Sequence, residues 1–210
     1  MQSSKENILK KIRTALSQST PVPFAEVQNI RREEVMNASK DELTVSFAEN
    51  LSKVGGQFIY CASPSELVAQ LEALQQTKQW NKIFSREPSV IDFLQQNNFH
   101  ALEFGNFMEC EVAITGCEKL IARTGSILMS SAQTSGRTTS IYAPVHICIA
   151  FTSQLVYDIY EGLNYIQQSK EKLPSLITLA TGPSRTADIE KTLVVGVHGP
   201  KEFFCFVVED

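Results

Sequence analysis

The chain has 210 residues, 43% of them hydrophobic and 20% charged, with a formal net charge of −4 at pH 7. That is the size and composition of one globular domain with an accessory segment, and the negative balance argues against a general nucleic-acid binder. Five scattered cysteines (Cys61, Cys110, Cys117, Cys148, Cys205), odd in number and without a Cys-x-x-Cys pair, read as reduced thiols of a cytoplasmic protein, with no disulfide framework or zinc knot.

Ser4 can cap a first helix, in which Ile8, Leu9, Ile12, Ala15 and Leu16 recur at helical spacing with Lys5, Lys10, Lys11 and Arg13 outside. This basic amphipathic helix suits docking on its own domain or a neighbouring subunit better than a mitochondrial transit segment. Gln18 to Phe24, with Pro21 and Pro23, reads as a linker, so residues 1–24 form an arm and 25–210 the main domain. Ser39 with Glu42 forms a capping box for a helix striped by Leu43, Phe47, Leu51 and Val54 and stopped by Gly55-Gly56. A strand over Phe58 to Ala62 follows, then a second capping box, Ser63 with Glu66, where Pro64 opens a helix that buries Leu67, Val68, Leu71 and Leu74. Ile83-Phe84 is a short strand, and Val90, Phe93 and Leu94 mark a helix ending near Asn97-Asn98. The β-α-β-α order predicts an α/β fold with a mostly parallel sheet flanked by helices.

After Gly105 the texture turns β-rich, with strands over Val112 to Thr115, Lys119 to Arg123 and Ser126 to Met129, and a tight turn at Thr124-Gly125. A polar loop from Ser130 to Ser140 reads as a mobile surface loop or a lid. Val145 to Phe151 is a buried strand, Ser153 caps a helix through Tyr165, and Leu176 to Ala180 and Phe203 to Val208 complete the sheet. The longest apolar stretch, Ile141 to Phe151, falls short of the roughly 20 residues that span a bilayer, and no signal-peptide core precedes it, so membrane insertion is not expected.

Three loops could carry chemistry. In Thr181-Gly182-Pro183-Ser184-Arg185-Thr186-Ala187-Asp188 an apolar strand runs into a Gly-Pro turn and a helix start, where unpaired amides favour an anion. Ser184 and Thr186 add hydroxyls, and Arg185 a fork matched to carboxylate or phosphate. The same residues also read as a plain helix cap, with Asp188 complementing the dipole. In Gly196-Val197-His198-Gly199-Pro200 a rigid turn presents His198, either to a ligand or to its own backbone. The Arg123-Thr124-Gly125-Ser126 turn and Arg137 place two more cations near strand ends. His146 reads as a satisfied core histidine and His100 as a surface residue, so a metal site is unsupported. Walker, Gly-x-Gly-x-x-Gly and Gly-x-Ser-x-Gly signatures are missing.

The run Thr181 to Glu190 together with Leu193-Val194-Val195-Gly196-Val197-His198-Gly199-Pro200 resembles the C-terminal signature of the lactate-utilization (LUD) domain family. Thr124-Gly125-Ser126, Pro144-Val145-His146-Ile147 and the first helix fit the family's short, single-domain members. The resemblance implies a NagB/RpiA/CoA-transferase-like fold and a role, with two partner proteins, in oxidising L-lactate to pyruvate. Iron–sulfur clusters would sit in a partner subunit, and this chain would be a clusterless component without a cofactor of its own. Its binding residues would be Thr124, Gly125, Ser126, Gly182, Ser184, Arg185, Thr186, Asp188, His198 and Gly199, around a small carboxylate or phosphate-bearing ligand. Arg123 stands where the family pattern leads one to expect an acid, which removes a nucleophile or base. The alternatives are a stand-alone group-transfer enzyme acting on a nucleotide, CoA or folate-like substrate, and a regulatory or scaffold protein.

Overall fold

The computed structural model of the protein describes residues 4–17, 42–103, 105–186 and 193–210. The chain divides into two compact units, Met1–Ala38 and Ser39–Asp210. In the first, α1 runs Ser4–Ser17, so Ser4 belongs to the helix itself. The expected linker at 18–24 and the expected cap Ser39 lie outside the described residues.

In chain order the second unit runs α2 (Leu43–Lys53), β1 (Gln57–Cys61), α3 (Pro64–Lys78), β2 (Ile83–Ser85), α4 (Pro88–Gln96), β3 (Val112–Thr115), β4 (Lys119–Ile121), β5 (Ser126–Ser130), α5 (Thr139–Tyr142), β6 (Val145–Phe151), β7 (Leu155–Val156), α6 (Ile159–Ser169), β8 (Ile177–Ala180), β9 (Arg185–Thr186), β10 (Val194–Val195) and β11 (Glu202–Val208). Local chemistry sets several of these boundaries. The Ser63 hydroxyl accepts from the Glu66 amide at 3.2 Å, while the Glu66 carboxylate accepts from the Ala62 amide at 2.9 Å. Pro64, which lacks an N–H to leave unpaired, opens α3. α2 has no side-chain cap at Glu42, and Gly55, at φ +83°, ends it.

The main sheet has the order β1-β11-β6-β3-β2, and every neighbouring pair is parallel. Its central strands are apolar on both faces because both are covered. On one face Ile147, Ile149, Phe204 and Phe206 pack against Leu67 and Leu71 of α3 and Val90 and Leu94 of α4. On the other, Cys148, Ala150, Phe203, Cys205 and Val207 meet Phe47 and Leu51 of α2 and Leu120, Ile127 and Met129.

Those last three residues belong to a second sheet, β7-β4-β5-β8, in which β4–β5 and β5–β8 are antiparallel and β4–β7 parallel. α6 covers it through Ile166, against Ile121 and Leu128. This corrects two expectations. β8 pairs with β5 and so completes the second sheet, not the main one. Ser153 sits in a 3-10 turn, Thr152–Gln154, and the helix beyond it is capped instead by Asp158, whose side chain accepts from the Tyr160 amide at 3.1 Å. The carboxylate wins because it also completes an ion pair with Arg123, which a serine cannot do.

Candidate functional site

The two loops singled out in the last third of the chain fold onto each other. Ser184 is the hinge of that contact: its amide donates to the Pro200 carbonyl at 2.9 Å and its carbonyl accepts from the Gly196 amide at 2.9 Å. Gly199 lies so close that a Cβ there would come within 2.9 Å of the Ser184 Cβ. The result is a cleft of ≈ 220 Å³ with Thr181, Gly182, Ser184, His198 and Gly199 in its wall and His146 and Phe203 beneath. Since His146 and Phe203 are the second residues of β6 and β11, the cleft stands at the amino edge of the main sheet.

Ser184 to Thr186 do not open a helix, and the residues beyond, 187–192, lie outside the described ones. Arg185 and Thr186 form β9, paired antiparallel with β10 through Arg185↔Val195 and Thr186↔Val194, because Ser184 is already held in the same ribbon by Gly196. Asp188 lies outside the described residues. The Arg185 guanidinium donates to the Val54 carbonyl at the end of α2, a place where the helix dipole favours a cation. Gly182, at φ +73°, lies against the same carbonyl, and a Cβ there would stand 2.7 Å from it.

Thr124, Gly125 and Ser126 are not in the cleft wall. Gly125, at φ +61°, presses on α2 so closely that a Cβ would be 2.2 Å from the Leu51 nitrogen, and Asn50 donates to the Ala122 carbonyl at 2.9 Å beside it. Ser126 reaches the cleft only through Thr181, with 2.7 Å between the hydroxyls. The turn therefore locks β4–β5 to α2. Arg123, read as a cation near a strand end, instead pairs with the buried Asp158 at 3.1 Å. Arg137 donates to the Ser175 hydroxyl at 2.6 Å, and its loop is anchored by buried Ser135 and Thr139, the Thr139 hydroxyl bonding the Ser135 carbonyl at 2.6 Å. Sequence reasoning missed Asn50 and Val54 as partners of these loops, because nothing local marks a contact 72 or 131 positions away.

His146 is a satisfied core histidine: it is 1% exposed, its Nε2 is 2.8 Å from the Thr115 hydroxyl, and burial pushes its pKa down to about 3. The floor of the cleft is thus a neutral imidazole at physiological pH. His198 is exposed at the cleft mouth. All five cysteines are buried free thiols, and Cys117 is raised well above the usual thiol range by its hydrogen bond with Cys148 and by burial. Among the described residues no group of three or more His, Cys, Asp or Glu is placed to hold a metal ion, and no helix is long and apolar enough to cross a membrane.

The sequence profile of the LUD domain matches residues 104–208, half of the chain. The chain is 38% identical over 105 residues to a lactate utilization protein C of Geobacillus sp., covering 49% of this chain and 44% of that one. To a lactate utilization protein C of Shouchella clausii it is 33% identical over 129 residues, covering 60% and 56%. An uncharacterized protein of Neisseria meningitidis is 31% identical over 102 residues, covering 49% and 44%. The matches span about half the length of these curated relatives. In fold the chain is similar to the crystal structure of a DUF162 family protein from Deinococcus radiodurans, with a TM-score of 0.59 at 20% identity over 81% of this chain and 98% of that one.

Proposed function

This chain belongs to the LUD domain family, and on that premise we propose that it is a clusterless, non-redox subunit of a cytoplasmic system that oxidises L-lactate to pyruvate. Partner subunits bearing iron–sulfur clusters take the electrons, since hydride and electron transfer need a cofactor that side chains do not replace. This chain holds a small carboxylate or phosphate-bearing ligand. What carries the reading is the joining of the two signature loops at Ser184 into one cleft that His198 faces, together with relatives named for lactate utilization.

Within the cleft the roles divide by what each group already does. The Ser184 backbone is occupied by Gly196 and Pro200, so its position is rigid and its hydroxyl is the part offered to a ligand. His198 contributes a donor or a positive charge beside it. His146, neutral and held by Thr115, shapes the floor without adding charge. Thr124, Gly125, Ser126, Arg185 and Thr186 act one step back, by holding the loops against α2 and against each other, and Gly182, in the wall, rests on α2 as well.

A deletion strain tests this. It should fail to grow on L-lactate and be restored by the wild-type gene, poorly by Ser184→Ala or His198→Ala, while the purified chain alone oxidises no lactate. Normal growth of the deletion strain, with no second copy present, would overturn the reading and favour a stand-alone group-transfer enzyme.

A further inference from the structure

A second cavity, also ≈ 220 Å³, opens at the opposite edge of the main sheet and is lined by Glu87, Val90, Phe93, Cys117, Ile149 and Phe151 among others. Glu87 follows β2, Cys117 follows β3, and Ile149 and Phe151 end β6, so the cavity stands at the carboxyl ends of three adjacent parallel strands. In open α/β sheets that is the edge where ligands bind, whereas the His198 cleft is at the amino edge. Its volume is below the ~300–1,000 Å³ of drug-sized pockets, so only a small molecule fits.

Two features of its wall lack partners. α4 begins here with Pro88, which has no N–H, and its N-cap residue Glu87 makes no side-chain capping bond. The Ser89 and Val90 amides therefore open the helix without an acceptor among the described residues, at the positive end of its dipole. Independently, Glu87 is only 6% exposed, and its Oε1 has no hydrogen-bond partner there either. Burial holds the Glu87 carboxyl above its ordinary range, partly offset by hydrogen bonding to the carboxyl group from the Ser135 side chain, the Gly116 backbone and the Gln133 side chain. The charged and titratable groups that interact with it electrostatically include Glu118, itself bound to Lys170 at 3.3 Å, and the neutral thiols of Cys117 and Cys148. A carboxyl so placed takes up a proton more readily than a free one, and once protonated it acts as a donor. The polar end of the cavity thus presents donors, and Phe93, Ile149 and Phe151 line an apolar remainder. Gln154 does not compete, because it bonds the Cys117 carbonyl at 2.7 Å and the Phe151 amide at 2.9 Å.

We propose that this cavity is a second binding site, which takes a small monocarboxylate: the carboxylate meets the Ser89 and Val90 amides and the Glu87 side chain, and the hydrocarbon body lies against Phe93, Ile149 and Phe151. The site stands apart from the His198 cleft and does not depend on the function proposed for it.

The test is titration of the ¹⁵N-labelled full chain with butanoate and benzoate, followed by amide shifts, at about pH 5.5 and about pH 7.5. Saturable shifts centred on Ser89, Val90 and Gly116 are expected, with tighter binding at the lower pH because a protonated Glu87 donates where an ionised one repels. Glu87→Gln, which keeps a donor but cannot ionise, should retain binding and flatten the pH dependence. Val90→Trp should fill the cavity and abolish the shifts, its fold checked by circular dichroism. Shifts confined to Ser184, His198 and Gly199 would place the anion in the other cleft and overturn the proposal, as would no saturable shift at either pH or a Glu87→Gln protein with unchanged pH dependence.

Discussion

Gly125 and Gly182 both adopt positive φ and both lie against α2, at Leu51 and at the Val54 carbonyl. A methyl group at Gly125 meets backbone at 2.2 Å, which no rotamer change relieves, so Gly125→Ala should destabilise the domain by about 2–4 kcal/mol, read as a lower urea midpoint. Arg123→Ala should cost about 1–3 kcal/mol for a different reason. It leaves Asp158, only 4% exposed, without its cation, and the figure is discounted because a third of the Arg123 side chain is in water. Restoration of that loss by Arg123→Lys would show that charge alone suffices; lasting loss would show that the guanidinium geometry matters. These are residues whose special character is plain in the sequence. What each one touches is not, because Arg123 and Asp158 are 35 positions apart.

Helix caps show where local chemistry suffices and where it does not. Ser63, Pro64 and Glu66 lie within four residues and form their bonds whatever the rest of the chain does, so the start of α3 was legible. Ser63→Ala should therefore cost about 1 kcal/mol and speed amide exchange in the first turn of α3. At α6 the sequence points to Ser153 as the cap, and the structure puts the cap at Asp158. There Ser153 instead donates to Asp210 at 2.5 Å, while Asp158 caps the helix and is held by Arg123. Asp158→Ala should loosen the first turn of α6 by about 1–3 kcal/mol, whereas Ser153→Ala should leave its exchange rates unchanged. Equal effects of the two variants on α6 would contradict the assignment.

For the whole molecule, His146 links the central sheet to pH. Its pKa is about 3 in the folded protein and ~6.5 in an unfolded chain, so between those values the unfolded state binds more protons. Its contribution to stability is complete above ~6.5 and is lost at up to about 1.4 kcal/mol per pH unit as pH falls towards 3. His146→Gln, which keeps a partner for Thr115, should lower stability near pH 7 but weaken its acid dependence, so that the two urea midpoints converge near pH 4. Parallel midpoints across that range would show that the imidazole takes up its proton without unfolding the sheet.

The near-continuous apolar runs Val145–Phe151 and Glu202–Val208, the cap at Ser63 and the glycine-marked turns are short-range signals. Helix, strand and turn types, and the order that implies a parallel sheet, followed from them by the sequence alone. The resemblance to the LUD family also drew attention to both loops, Thr181 to Asp188 and Gly196 to Pro200, which the structure brings together at Ser184. Only the tertiary structure decided that β8 joins a second sheet, that the Arg185 and Gly125 loops serve α2, and that Glu87 is buried at the carboxyl edge with its Oε1 unbonded among the described residues. Each of those depends on which distant surface comes to lie opposite, and a hydrogen bond or a buried carboxyl carries no trace of its partner in the residues on either side.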